Sequence, residues 1–293
     1  MDPAAAAIRW VVDTRELRYF VAVAEELHFG RAAQRLGIAQ PPLSRAISLL
    51  ERRLGTALLT RTSRSVALTE PGAVLLREGR TALDALEAAE HRTRRSARAA
   101  EGEAGVVLVA KAGASGELLA KLLDAYAAEP GAVRVDVELC GPGQQARLLR
   151  SGRADVALLH RPFDDTSGLD VEELLTEGQV AVLPAGHPLT AHRELRLADL
   201  DDVPDLPHPR WPGPDGSYAA GRGPEVRDST QLLQLVSLGR TLMVVPGSVR
   251  AQLGEGVVAV PVVDAPEVTT VIAWPPHSRS RAVAGLVQAA LRL

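Results

Sequence analysis

The stretch that decides the fold at the amino-terminal end runs from Glu16 to Gly72 and reads ELRYFVAVAEELHFGRAAQRLGIAQPPLSRAISLLERRLGTALLTRTSRSVALTEPG. Apolar residues recur at helical spacing over 16–27, over 31–36 and again from about Gln40 onward. Gly37 suits the left-handed end of the second helix, because glycine adopts a positive φ without strain. The pattern therefore predicts three short helices, the last two joined by a tight turn.

The third helix carries one apolar stripe, formed by Leu43, Ile47 and Leu50 at spacings of four and three. If that stripe faces inward, a set of small and polar residues faces outward: Gln40, Pro41, Ser44, Arg45 and Ser48. Two short helices joined by a glycine-containing turn form a helix-turn-helix, whose second helix enters the major groove of DNA.

The outward residues have the chemistry that reading DNA requires. Gln40 can make a bidentate contact with adenine, and Pro41 can touch a thymine methyl group. Ser44 and Arg45 can hold phosphate oxygens. The alternative is a three-helix packing module whose arginines are merely solvated. Spacing alone favours DNA binding over this alternative.

A small hairpin follows the third helix, with predicted strands at 57–60 and 65–68. Arg61 and Arg64 lie at its tip, where they could reach a neighbouring minor groove or the DNA backbone. We therefore add both to the candidate DNA contacts.

The net charge of the 293-residue chain is −3, which by itself argues against a protein that coats nucleic acid. The charge is unevenly distributed, however. Residues 1–100 hold 16 arginines, no lysine and 11 acids, for a charge of +5, and the remainder carries −8. Between positions 31 and 65 one acid, Glu51, faces seven arginines: Arg31, Arg35, Arg45, Arg52, Arg53, Arg61 and Arg64. The split predicts different partners for the two parts of the chain, and Arg31 joins the candidate DNA contacts.

A long helix is predicted from about Glu70 to Arg98. Leu76, Leu83 and Leu86 form an apolar seam along it at roughly heptad spacing. A lone helix has no core of its own, so the seam needs a partner. That partner is either a second chain, which we favour because large exposed apolar surfaces mark interfaces, or another part of the same chain.

After residue 104, short buried strands alternate with helices to the end of the chain. This order predicts an α/β region with parallel sheets covered on both faces. A single cysteine, Cys140, excludes a disulfide scaffold and fits a cytoplasmic protein. No apolar run reaches the 18 residues that a membrane span needs.

Residues 15–72 strongly resemble the winged helix-turn-helix of LysR-type transcriptional regulators, through the segments RAAQRL, IAQPPLSRAI, LERRLG and LTEPG. The resemblance continues through most of the chain. It implies a winged helix-turn-helix at 15–72, a linker and dimerisation helix at 73–99, and a periplasmic-binding-protein-like effector domain at 104–293. Its lobe I would hold 104–170 with 268–293, and its lobe II 171–267. Residues 1–14 would form an extension without stable structure, in part from an overextended gene start, since similar chains begin near Glu16.

The resemblance also implies function and partners. We expect a sequence-specific regulator that binds double-stranded promoter DNA, responds to a small-molecule effector, contacts RNA polymerase and assembles as a homodimer or homotetramer. No cofactor, metal or catalytic residue is expected, and no membrane partner. The resemblance carries Gln40, Pro41, Ser44 and Arg45 over as recognition-helix contacts.

Ligands in such two-lobed domains bind between the lobes, at the carboxyl ends of the strands. This rule places eight candidate effector contacts: Gly113, Ser115, Gly141, Arg161, Arg210, Trp211, Ser229 and Thr230. Several have equally plausible structural roles. Arg161 could pair with Asp164 or Asp165, Trp211 could pin its loop, and Ser115 and Ser229 could cap helices. Relatives that sense aromatic acids tend to have hydroxyl residues where this chain has Gly113 and Gly141, so an aromatic acid in the usual pose is not expected.

Two other classes of protein were weighed. A solute-binding module without DNA binding is disfavoured by the arginine-rich helix-turn-helix. An enzyme is disfavoured because no nucleophile, base and acid form an evident set. The segment from Gly141 to Ala146 matches a dinucleotide-binding pattern, but it lies on the second strand of its unit and Pro142 stiffens it, so a plain tight turn is favoured.

Overall fold

The fold described below is that of a computed structural model covering residues 12–61, 65–102, 104–212, 218–276 and 278–293. The chain forms two compact units that divide between Ala89 and Glu90, within a long helix. Each unit has its own buried core and is described separately.

The first unit contains three short helices, a hairpin and the start of a long helix. The elements are α1 (Thr14–Glu26), α2 (Phe29–Leu36), α3 (Gln40–Leu54), β1 (Leu59–Arg61), β2 (Val66–Leu68) and α4 (Glu70–Ala100). Gly37 ends α2 with a φ of 66°. The predicted helix-turn-helix is confirmed, and β1 and β2 pair antiparallel as the predicted wing.

The start of the fold differs from the prediction, which assigned residues 1–14 to an extension. Asp13 caps α1: its carboxylate accepts from the backbone N–H of Glu16, and the Glu16 side chain accepts from the N–H of Asp13. Val12 packs against the core. Residues 12–14 therefore belong to the folded unit, and 1–11 lie outside the described residues.

The seam of α4 has a partner within the same unit. Leu76 and Leu83 pack against the core built by α1, α2 and α3, whereas Leu86 is 38% exposed. A Cβ at Gly79 would lie 2.8 Å from a methyl carbon of Leu17, so α4 approaches α1 closely there. Leu76 and Leu83 thus have a partner within their own unit, where they are half-buried, and the contact of the seam with a second chain stays a prediction.

The second unit contains two sheets. The first has the order β4 (Arg134–Cys140), β3 (Gly105–Lys111), β5 (Val156–Arg161), β10 (Val268–Trp274) and β6 (Asp170–Glu177). The second has the order β8 (Met243–Pro246), β7 (Gln179–Pro184) and β9 (Val257–Val262). The helices are α5 (Gly116–Ala127), α6 (Gln145–Arg150), α7 (Ser229–Ser237) and α8 (Arg281–Ala290). Short 3₁₀ helices lie at Pro188–Ala191, Leu197–Asp199 and Gly247–Gln252.

The expectation of parallel sheets is only partly confirmed. Strands β3, β4 and β5 are parallel, but β10 and β6 run antiparallel to their neighbours, and β7 pairs antiparallel with both β8 and β9. The pattern of strands and helices does not fix strand direction when the chain crosses between lobes.

The lobe boundary also differs from the expected one. Strand β6 pairs along its whole length with β10, so residues 171–177 belong to lobe I rather than lobe II. The first crossover therefore lies at Gly178, between β6 and β7. In the part of the chain that the structure describes, no helix is both long and apolar enough to cross a membrane.

Candidate DNA interface and interlobe site

The third helix presents the face that its periodicity predicted. Leu43, Ile47 and Leu50 are fully buried, at 0% exposure. The opposite side carries exposed Gln40, Pro41 and Arg45, with Ser44 and Ser48 half-buried. Because the stripe is fixed in the core, the polar face is held rigidly toward solvent.

Hydrogen bonds to Glu51, the one acid between positions 31 and 65, connect the hairpin to this face. The backbone N–H groups of Leu58 and Leu59 donate to Glu51 Oε1 at 3.0 and 3.1 Å. Arg61 Nη2 donates to Glu51 Oε2 at 3.1 Å. Glu51 on α3 therefore fixes both the approach to β1 and the side chain at its end.

Arg61 lies beside the recognition helix rather than extending freely from the hairpin. Its Nη1 donates to Ser44 Oγ at 3.5 Å, and its guanidinium carbon stands 4.7 Å from the centroid of the Phe29 ring. Two predicted DNA contacts, Arg61 and Ser44, are thereby brought together. Arg64, the other predicted contact at the hairpin tip, lies outside the described residues.

The arginines of this unit differ in how far they are engaged. Arg31 pairs with Glu26 at 3.2 Å, although its side chain remains 63% exposed. Arg45, in contrast, makes no ion pair with any residue that the structure describes. Arg45 thus offers an exposed, unneutralised charge on the same helix as Gln40.

The second candidate site lies at the carboxyl edge of the lobe I sheet. Ser115 begins α5 with a φ of 53°, a left-handed conformation that is uncommon for a residue with a side chain. It forms no side-chain cap hydrogen bond. Instead, its Oγ lies 2.8 Å from Nε2 of His160, at the end of β5. The helix-cap alternative for Ser115 is therefore wrong.

His160 and Asp164 also belong to this site, although neither is among the eight candidate effector contacts. The backbone N–H of His160 donates to Asp164 Oδ2 at 2.8 Å, while the imidazole Nδ1 lies 3.5 Å from the same oxygen without a hydrogen bond. Ser115, His160 and Asp164 thus meet, although no nucleophile, base and acid had been evident. The sequence signal for this site is weak: a polar residue ends a strand, and an acid follows four residues later.

Further polar groups surround this carboxylate. Lys111 Nζ lies 3.6 Å from Asp164 Oδ2, and Gln145 Nε2 donates to the same atom at 3.5 Å. Burial acts to raise the pKa of Asp164, but the interactions with His160 and Lys111 outweigh it, so the pKa lies below its usual value. Asp164 is therefore a carboxylate at neutral pH.

Lobe II closes over the Ser115 loop on both sides. Gly113 has a φ of 75°, and a Cβ placed on it would lie 2.7 Å from the Cβ of Ser229. A Cβ on Gly116 would lie 3.1 Å from Gln252 Nε2. The predicted residues Gly113, Ser115 and Ser229 are thus brought together, and only glycine at 113 permits the approach.

Ser229 is not a helix cap either. Asp228 caps α7 by accepting from the backbone N–H of Gln231 at 2.8 Å. Ser229 is half-buried and Thr230 exposed at the first turn of α7. The capping alternative for Ser229 is therefore wrong, because its neighbour performs that role.

Two of the predicted effector contacts, both arginines, are engaged elsewhere. Arg161 pairs with Glu173 on β6 at 3.3 Å, not with Asp164 or Asp165. Arg210 donates to the carbonyls of Ala219 and Gly223 and pairs with Glu225, so it organises its own loop.

Two other predicted contacts also have local roles. Trp211 packs against the core beneath α7, which is the loop-pinning role. The backbone N–H of Gly141 donates to Gln144 Oε1 at 3.2 Å within a turn where Gly143 has a φ of 72°. That geometry is a tight turn, the reading that the sequence favoured over a dinucleotide site.

Burial raises the pKa of the Cys140 thiol to about 11, so the thiol is protonated and unreactive at neutral pH. Among the described residues, no group of three or more His, Cys, Asp or Glu could hold a metal ion.

Comparison with known proteins matches both units. Residues 14–73 match the bacterial regulatory helix-turn-helix protein model of the lysR family, and residues 100–293 match the LysR substrate binding domain. The chain is 34% identical over 251 residues to the HTH-type transcriptional regulator AlsR of Bacillus subtilis, covering 82% of each chain. It is 34% identical over 290 residues to the regulator IlvR of Caulobacter vibrioides, covering 94% of this chain and 97% of that one. A crystal structure of full-length CbnR complexed with its target DNA is similar at a TM-score of 0.50 and 25% identity, covering 96% and 99%.

Proposed function

This chain belongs to the LysR family of bacterial regulatory helix-turn-helix proteins, and on that premise we propose how this transcriptional regulator reads a promoter and responds to an effector. The observation that carries the proposal is the fully buried stripe of α3, which leaves one polar face to enter the major groove. CbnR, similar along its whole length, was crystallised with its target DNA. The family is one of regulators rather than enzymes.

The proposed base contacts come from Gln40 and Pro41, which are exposed at the start of α3. Ser44, Ser48 and Arg45 hold phosphates beside them. Three further arginines extend the contact: Arg31, Arg61 and Arg64. Arg61 approaches the same face as Ser44, so the wing and the recognition helix act on one stretch of DNA.

The proposed effector site is the interlobe contact around Gly113, Ser115, Ser229 and Thr230. An effector that binds one arrangement of the lobes more tightly than another shifts the equilibrium between them. That shift changes the spacing of the DNA-binding units in the oligomer and so the fit to the promoter. RNA polymerase is the proposed downstream partner, and no cofactor takes part.

The proposed assembly is a dimer or tetramer. The exposed apolar residues Val74 and Leu86 on α4 are the proposed dimer contact. On the edge strand β4, Val137 and Leu139 are 40% and 60% exposed, and they are the proposed contact between effector domains. Functionally, 15–72 binds DNA, 73–99 links and dimerises, and 104–293 senses the effector.

The test is retention of DNA fragments by the full chain. Fragments bound in the cell are sequenced, and their common site is used in a shift assay at several salt concentrations beside random DNA. We expect specific binding that exceeds random binding at every salt concentration. Gln40→Ala should cost about 1–3 kcal/mol at the specific site and little on random DNA, because it removes a base contact.

The matched control is Gln34→Ala, an exposed residue on α2 outside the proposed contact face. It should bind the specific site as the unmodified protein does. Equal retention of specific and random DNA, or specific binding that survives Gln40→Ala unchanged, would contradict the proposal.

A further inference from the structure

The long helix α4 is attached by arginines near both of its ends, and the first attachment lies within the first unit. Arg80 on α4 pairs with Glu25 on α1: its Nε donates to Glu25 Oε1 at 2.9 Å, and its Nη2 lies 2.8 Å from the same oxygen. The other oxygen, Glu25 Oε2, accepts from Arg35 Nη1 on α2 at 2.7 Å. The Glu25 carboxylate therefore connects α4 to both α1 and α2.

The second attachment joins the carboxyl end of α4 to lobe I. Arg95 Nη2 lies 2.9 Å from Asp155 Oδ1, and Arg95 Nη1 donates to the carbonyl oxygen of Gly152 at 2.6 Å. Both partners belong to the turn that leads from α6 into β5. The side chains of Arg95 and Asp155 are only 26% and 18% exposed, so solvent and salt screen this pair less than an ion pair on the surface.

Asp155 is itself fixed to the lobe I sheet. Its Oδ2 accepts from the backbone N–H of Val107 on β3 at 2.9 Å, and its own N–H donates to the Val107 carbonyl at 2.8 Å. Burial raises the pKa of Asp155, whereas the Val107 N–H and the positive charges of Arg95 and Arg92 act to lower it. Arg95 thus stabilises a carboxylate that burial alone would disfavour.

Strand β5 connects this attachment to the interlobe site. It is the central strand of the five-stranded sheet, and residues 156–159 are fully buried. Asp155 directly precedes the strand, and His160 near its other end lies 2.8 Å from Ser115 Oγ through Nε2. One buried strand therefore has the attachment of α4 at its start and the proposed effector site at its end.

The length of α4 makes its attachment important for DNA binding. The helix is continuous over 31 residues, from Glu70 to Ala100, which corresponds to about 45 Å. A tilt of about 10° at its carboxyl end displaces its amino-terminal end by about 8 Å, more than two base-pair steps of about 3.4 Å. A small change at Arg95 would therefore move a DNA-binding unit by several base pairs.

We propose that Arg95 and Asp155 are positioning residues for promoter recognition: their ion pair fixes the direction in which α4 leaves lobe I and thereby sets the half-site spacing that the oligomer accepts. The proposal rests on the proposed function, in which two or more copies of the helix-turn-helix bind one promoter. Loss of the pair leaves each half-site readable but allows α4 to tilt. Sites of other spacings are then bound with a smaller penalty.

The test is a shift assay with the full chain on duplexes of varied half-site spacing. The half-site found in the DNA fragments bound in the cell is used singly, or in pairs whose spacing changes in steps of one base pair. About five added base pairs place the second half-site on the opposite face of the duplex. We expect the unmodified chain to bind its worst spacing at least about tenfold more weakly than its best, and Arg95→Gln to lower that ratio to about threefold or less. Affinity for a single half-site should be the same in both.

The matched control is Arg94→Gln, which removes the same charge from the neighbouring residue. The Arg94 side chain is 72% exposed and lies 3.9 Å from Glu90, so this variant should keep the full dependence on spacing. Asp155→Asn retains an oxygen that can accept from the Val107 N–H but loses the charge that faces Arg95. It should weaken the dependence on spacing as Arg95→Gln does, and the double variant should show no further loss, because both changes remove one interaction.

The Arg95 variant changes a partly exposed side chain, so the test stands even if Asp155→Asn fails to fold. An unchanged dependence on spacing in Arg95→Gln, or an equal loss in Arg94→Gln, overturns the proposal. The single half-site tests the proposed function separately, since binding no tighter than to random DNA would contradict that function. Specific binding of the single half-site together with an unchanged dependence on spacing in Arg95→Gln overturns this inference alone.

Discussion

A single acid governs the DNA-facing side of the first unit. Glu51 is the one acid among seven arginines between positions 31 and 65, and it uses both carboxylate oxygens. One accepts from two backbone N–H groups before and within β1, and the other holds Arg61. Glu51 therefore positions the wing relative to α3 through contacts within the protein.

Glu51→Gln should separate these two roles. The amide oxygen still accepts from Leu58 and Leu59, but the amide nitrogen faces the Arg61 guanidinium and cannot pair with it. We expect the free energy of unfolding to fall by about 1 kcal/mol and specific promoter binding to weaken, since Arg61 is no longer held beside Ser44. Urea unfolding and shift assays measure the two effects.

The matched control is Glu78→Gln, which removes a solvent-exposed pair with Arg77. It should leave unfolding within about 0.5 kcal/mol and promoter binding unchanged. If Glu51→Gln matched this control in unfolding and promoter binding, Glu51 would not be needed to position Arg61.

At the scale of elements, α4 serves two different surfaces. Leu83 is half-buried against the core of its own unit, whereas Leu86, three residues later, is 38% exposed. The heptad pattern placed both on one seam. In the structure Leu83 packs against the core of its own unit and Leu86 stays exposed, so Leu86 is the position proposed for contact with a second chain.

A pair of substitutions distinguishes the surfaces. Leu83→Asp buries a charge beside the core and should lower the free energy of unfolding by about 2 kcal/mol or more. Leu86→Asp should leave unfolding of the protomer nearly unchanged and shift the sedimenting species toward monomer. Sedimentation velocity and urea unfolding of both variants provide the measurements.

The same substitution is expected to have different effects at Leu83 and Leu86. Dimers that survive Leu86→Asp would refute the proposed dimer contact on α4. A folded unit that tolerates Leu83→Asp at no cost would refute the packing assigned to it.

Strand β6 is an element that hydrophobic periodicity does not predict. Its sequence, DVEELLTE, is acidic and lacks apolar alternation, and all of its residues are exposed or half-buried. It is a strand because β10 supplies a full set of pairing partners beside it. Such an edge strand depends on its neighbour more than on its own composition.

At the scale of the whole molecule, the second unit depends on two lobes meeting at Gly113. Gly113→Ala introduces strain at a φ of 75° and a Cβ 2.7 Å from that of Ser229. Gly131→Ala introduces similar strain at a φ of 82°, where nothing lies within 4 Å. Both variants share the backbone strain, so the difference between their unfolding free energies measures the cost of the lobe contact.

We expect Gly131→Ala to lower the free energy of unfolding by about 1 kcal/mol and Gly113→Ala by about 1–3 kcal/mol more. Urea unfolding of both full-length variants measures the difference. An equal loss of unfolding free energy in both variants would mean that the lobe contact at Gly113 adds no stability.

The sequence by itself determined the features that arise from neighbours along the chain. The stripe of Leu43, Ile47 and Leu50, the turn at Gly37 and the +5 charge of residues 1–100 identified a DNA-reading unit, and these predictions agree with the structure. Helical periodicity and turn chemistry are local, so they can be read without knowing what the segment packs against.

Only the tertiary structure decided which side chains of the second unit are available to a ligand. Arg161 and Arg210 were predicted effector contacts, yet Glu173 engages Arg161, and Glu225 with two loop carbonyls engages Arg210. Ser115 was placed near the cleft, but its partner His160 lies 45 residues away. Such pairings depend on the order of strands in the sheet and on the approach of the lobes, because distant residues meet only where the packed backbone brings their side chains within hydrogen-bonding distance.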